Sequence, residues 1–215
     1  MTSKLHTILT YISKILSVLL YPLFIPTYGM LLFCVAFERY YMPLPTIYWL
    51  VAILGTFFLT TVIPLTSILL LMKQGRVHDI HIADAKERTT PYVYTIVCFA
   101  FWAYFLFSVL KVPHTITITA IGATVALGIV TLVNRRWKIS AHLTGFGGLT
   151  GGVLSFFLTG GIGVPLWLLL TLLILALCLM YARLYLNAHS SGQVVIGYLL
   201  GLTMTFIPNL LYTLL

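Results

Sequence analysis

The chain has 215 residues, 60% of them hydrophobic and 7% charged, with a mean hydropathy of +1.07. A soluble domain of this length needs far more polar surface, and several apolar runs approach the roughly 20 residues that cross a bilayer as a helix. The formal charge of +8 lies between those runs, where positive-inside topology and anionic headgroups account for it without nucleic acid.

Apolar segments are predicted at about 15–37, 46–72, 92–110, 115–133, 141–159, 164–182 and 193–214. They lack the alternating polarity of barrel strands. The expected fold is all-α: a polytopic membrane helix bundle with six or seven transmembrane segments, forming one domain over residues 1–215. Pro22 and Pro26 interrupt the first segment, so residues 4–20 are expected to form an interfacial helix leading into a shorter span. Lys4 and Lys14 precede it much as charges precede a signal peptide. No small-residue cleavage site follows, and the segment is read as retained. Cys34, Cys98 and Cys178 stand alone within apolar runs and read as small hydrophobes.

Three polar stations interrupt the chain. The first runs from Asp79 to Arg88, the second from Arg135 to His142, the third from Arg183 through His189 to Gln193. Two apolar segments separate each station from the next, turning at Lys111–His114 and at Gly160–Pro165. Each pair is a down-and-up hairpin, so all three stations return to one face. Gly147, Gly148, Gly151 and Gly152 begin the segment after His142, and Gly197 and Gly201 begin the one after His189. Small residues at this spacing allow close backbone approach, which would draw the two histidines together.

Arg183, His189 and Gln193 read Arg-x5-His-x3-Gln, and Ser140-Ala141-His142 opens a helix. With these residues the chain resembles the type 2 phosphatidic acid phosphatase superfamily, whose motifs are Lys-x6-Arg-Pro, Pro-Ser-Gly-His and Ser-Arg-x5-His-x3-Asp. The resemblance covers a core of about residues 75–215. Ala182 stands for the Ser and Gln193 for the Asp of the third motif. Ile139 and Ala141 stand for the Pro and Gly of the second. In the first, Arg88 matches the Arg, the residue seven earlier is His81, and Lys86 lies nearby off register.

The resemblance implies a metal-independent phosphohistidine mechanism with no cofactor. His189 would attack phosphorus, His142 would protonate the leaving alcohol, and Gln193 would orient His189. Arg88, Lys86, Ser140 and Arg183 would hold the phosphate oxygens. Phosphoryl transfer calls chiefly for positioning and charge neutralisation, and the planar fork of Arg suits both. The implied substrate is a membrane lipid bearing a phosphate or diphosphate headgroup, with its chain between helices. The implied setting is a bacterial inner membrane.

Two alternatives stand beside this. Gln193 is uncharged where the family has a carboxylate, so the chain could be a catalytically weak relative that binds or carries phosphorylated lipid. Asp79 and Asp84 resemble a magnesium pair, which would suit a polyprenyl transferase, although no second Asp-rich motif exists. Leaving out Lys86, Arg88 and Arg183, the station face carries Lys4, Lys14, Lys73, Arg76, Arg135, Arg136 and Lys138. The other face carries Arg39 and Lys111. This bias puts the stations in the cytoplasm, whereas most bacterial enzymes of the resembled family face outward. Oligomeric state is open, since such glycines serve packing within a chain or between chains.

Overall fold

The computed structural model describes residues 2–41, 43–79, 82 and 87–215. Among these residues there are helices and no strand. The helices are α1 (Thr2–Leu19), α2 (Ile25–Tyr40), α3 (Thr46–Lys73), α4 (Thr89–Val109), α5 (His114–Val133), α6 (Ala141–Thr159), α7 (Leu166–Tyr185) and α8 (Ser191–Leu214). Six of them, α3 to α8, are long and apolar enough to cross a membrane, and the chain is an integral membrane protein.

The first apolar segment divides into two helices. Pro22 and Pro26 cannot donate to an i−4 carbonyl, so the chain breaks over Leu20–Phe24. Pro26 then falls in the first turn of α2, where a missing N–H costs nothing. The Leu23 carbonyl left at the break accepts from the hydroxyls of Thr60 at 3.4 Å and Thr61 at 2.7 Å. Both threonines lie in a π turn, Phe58–Val62, within α3. Pro64 follows directly and has no N–H for the Thr60 carbonyl, which is one cause of such a widened turn.

Helix α2 has 16 residues, yet it runs beside α6 from end to end. Ile25 lies against Gly145 near one end, while Tyr40 and Tyr41 meet Phe157 and Phe156 near the other. Helix α1 does not follow it. It packs on α7, where Tyr185 Oη donates to the His6 carbonyl at 3.3 Å and Arg183 Nη1 to Ser17 Oγ at 3.2 Å. Its inward stripe buries Ser13 and Ser17, whereas Leu5, Ile8, Ile12, Ile15 and Leu19 face out. The break falls at the prolines as predicted, and an exposed apolar face on a helix at the site end of α7 is compatible with the expected interfacial position.

Helix α6 is the central post: 72% of its most apolar stretch is buried, against 28% for α3, α4, α7 and α8. Its broadest contact is with α8. A Cβ on Gly147 would overlap the Tyr198 carbonyl, and one on Gly201 would overlap the Thr144 carbonyl. The two backbones therefore touch directly, and the glycine spacing has the effect expected of it. Deeper in the bundle, Pro208 leaves the Met204 carbonyl of α8 without its helical donor, and Gly122 of α5 packs onto that carbonyl. Asn209 Nδ2 donates to Thr119 Oγ1 at 3.1 Å and Thr205 Oγ1 to the Gly148 carbonyl at 3.0 Å, tying α5, α8 and α6 together.

Candidate active site

The described residues of all three stations arrive at one end of the bundle, as the hairpin parity predicts. Arg88, His142, Arg183 and His189 line a single cavity there, together with Tyr21 and Tyr92. Arg88 immediately precedes α4, His142 sits in the first turn of α6, Arg183 ends α7, and His189 lies in the short turn before α8. The α6–α8 seam holds the two histidines on adjoining helix starts, and Ser140 N donates to the Gln193 carbonyl at 3.2 Å across it.

Arg88 is 5% exposed. Its Nε donates to the Ile82 carbonyl at 2.8 Å, and its Nη1 lies 3.4 Å from Asn134 Oδ1 at the end of α5. Beside it, the Glu87 carboxylate accepts from the His78 backbone N–H at 3.0 Å and stands 2.6 Å from the same residue's Nδ1. Arg183 gives one nitrogen to Ser17, while its buried Nε has no hydrogen-bond partner among the described residues. No carboxylate occurs among the described residues lining the cavity. Two guanidinium cations in one recess without a counter-charge on its described walls make it receptive to an anion.

His189 is 8% exposed, and its Nδ1 lies 3.0 Å from the Lys138 carbonyl. A carbonyl only accepts, so Nδ1 carries the proton and Nε2 keeps its lone pair. Burial first, and then the positive charge of Arg183, hold its pKa down to about 4, while the bond to Lys138 opposes them. At neutral pH this imidazole is uncharged. His142, 7% exposed, points Nε2 at the Ser17 carbonyl, 3.1 Å away, and stands edge-on to Tyr21 with ring centroids 5.6 Å apart. Burial pushes the Tyr21 phenol up, so it stays protonated.

Two predicted residues are placed elsewhere. Gln193 does not reach His189: its Oε1 accepts from the Ser190 backbone N–H at 3.0 Å, and Ser190 with Gln193 forms the capping box that starts α8. The orienting bond expected of it comes instead from the Lys138 backbone. Ser140 is fully buried and caps α6, its Oγ accepting from Leu143 N at 3.5 Å. It is not among the residues that line the cavity, and Gly197 of α8 packs on its backbone. Lys86, with His81 and Asp84, lies outside the described residues.

Three participants carry no mark in the motifs: Ser17, Tyr21 and Tyr92. Tyr92 was within reach of sequence reasoning, since it follows Arg88 by four positions on a helix and shares its face. Ser17 and Tyr21 come from the far end of the chain, and the proline break was the one signal near them. No protein-family model matches the chain, and neither a curated protein nor a solved structure matches it.

Proposed function

We propose that this protein is a membrane lipid phosphatase, a diverged relative of the type 2 phosphatidic acid phosphatases. It would hydrolyse a lipid phosphate or diphosphate monoester through a phosphohistidine on His189. The observation that carries this reading is the state of His189. It is a neutral imidazole, held at Nδ1 by the Lys138 carbonyl, with a lone pair on Nε2 in a cavity shared with Arg88 and Arg183.

Nε2 attacks the terminal phosphorus as its bond to the leaving oxygen breaks, and the departing lipid alkoxide or lipid phosphate takes a proton from the imidazolium form of His142, which becomes neutral. Water then cleaves the phosphorus–nitrogen bond, its proton passes to His142, and inorganic phosphate leaves. The two guanidiniums offset the charge on the equatorial oxygens. The Nε2–H of His142 rests on Ser17 in this state, so proton delivery from that nitrogen requires the end of α1 to release it.

One observation favours a second reading, a binder or carrier of phosphorylated lipid. The Gln193 side chain is committed to its own helix. His189 therefore has no carboxylate on the described cavity wall to stabilise the cation formed when it reacts. The test is metal-free release of inorganic phosphate by purified protein from phosphatidate, phosphatidylglycerophosphate and undecaprenyl diphosphate. Release from at least one, abolished by His189→Ala, is expected. No release from any, with phosphate-dependent binding intact, would establish the binder instead.

A further inference from the structure

The cavity does not stop at the histidines. It continues between α2, α4, α5 and α6, past Leu127, Ala123 and Phe99, to Phe33, Trp102 and Ile116. Helix α4 rises about 21 Å between Arg88 and Trp102, which passes the midplane of a hydrocarbon core about 30 Å thick. A phosphate or a headgroup needs the upper end alone.

The lower part is chemically apolar even where threonines line it. Thr95 Oγ1 donates to the Pro91 carbonyl at 2.8 Å, Thr119 Oγ1 to Thr115 at 2.7 Å, and Thr144 Oγ1 to Ser140 at 3.0 Å. Their hydroxyl hydrogens are already used within their own helices. Trp102 likewise commits its Nε1–H to Thr56 Oγ1 at 2.9 Å. Water in this space would find few donors, and such cavities stay dry. The space open to the centre of a water molecule is about 130 Å3; over that depth it is a track of about 6 Å2, which the water's own radius of about 1.4 Å widens to a bore about one hydrocarbon chain across.

We propose that this bore takes one apolar chain of the phosphate-bearing lipid, threaded into the bundle, and that Phe33, Trp102 and Ile116 set the longest chain that fits. The inference rests on the phosphate reading of the site above. Lipid tails are as apolar as the bore, so entry gains little over the bilayer. Selection works by exclusion: the excess length of too long a chain holds its phosphate away from His189.

Trp102 serves as its own reporter. A variant with Trp49→Phe, Trp137→Phe and Trp167→Phe keeps Trp102 alone of the four tryptophans. In detergent, its fluorescence should be quenched by a dodecyl phosphonate brominated at the chain end, and less by one brominated beside the phosphonate. Ala123→Phe, which fills the bore partway down, should abolish the difference; Ala123→Leu replaces it if the larger side chain prevents folding. In the otherwise unmodified protein, Ala123→Phe should cut phosphate release from hexadecyl phosphate by about tenfold or more while leaving hexyl phosphate nearly unchanged. Equal quenching by the two bromine positions, or an equal loss of release for both chain lengths, would overturn the proposal. Quenching needs no turnover. Quenching without any release would therefore remove the phosphatase reading and keep the chain site, and release without quenching would do the reverse.

Discussion

His189 owes its orientation to a backbone group. Its Nδ1 proton goes to the carbonyl of Lys138, so the side chain at position 138 has no part in that bond. This separates Gln193 from the chemistry and assigns it to the start of α8. Gln193→Ala should lower thermal stability in detergent by about 1 kcal/mol, the cost of losing half a capping box. Phosphate release, where present, should change by no more than a few-fold. A loss of about 100-fold or more would instead mean that the Gln193 side chain orients His189, as a charged triad partner does. The sequence leads naturally to Gln193 because motif reading sees only side chains. A carbonyl is identical at every position, so the group that orients His189 leaves no trace in residue type. Ser140 illustrates the same limit: a serine before a helix can be a ligand or a cap, and its full burial, with Oγ accepting from Leu143 N, favours the cap.

Among the helices, those around the site were legible from length and hydropathy, and their boundaries lie within a few residues of expectation from α3 onward. The first segment was the exception in extent, though its proline break was visible. What the sequence could not convey is that α1 folds back onto α7, because the polar stripe of Ser13 and Ser17 that faces inward is too sparse to stand out in an apolar helix. The α6–α8 seam was more readily seen, since only glycine permits carbonyl contact at Gly147 and Gly201. Gly201→Leu should force the helices apart, at a cost of about 1–3 kcal/mol or more for overpacking. Thermal unfolding should fall and phosphate release should vanish with it. Gly163→Leu, at an exposed position with nothing nearby, should leave both unchanged. Equal behaviour of the two variants would show that the seam does not position the site.

Taken as a whole, the molecule keeps its charge on one side. Lys73, Arg76, Arg135 and Arg136 are exposed at the end that holds the cavity, while the opposite end offers Arg39 and Lys111. Under the positive-inside rule, this bias predicts a cavity that faces the cytoplasm. In a background without Cys34, Cys98 and Cys178, Gln74→Cys should resist a membrane-impermeant maleimide in intact spheroplasts, and Gly163→Cys should react. The reverse pattern would turn the site outward. That result would also reassign the exposed arginines, from topology signals to contacts with headgroups on the outer leaflet.

The direct contact of α6 with α8 has a consequence for work in real bilayers. Membranes differ in thickness, and helices accommodate the difference by tilting. Because glycine-to-carbonyl contact at Gly147 and Gly201 leaves little side-chain bulk to re-pack between these two helices, they lean as one piece. His142 and His189 then keep their spacing whatever the host membrane, while Arg88 is held apart from that pair, by the Ile82 carbonyl and by Asn134 at the end of α5.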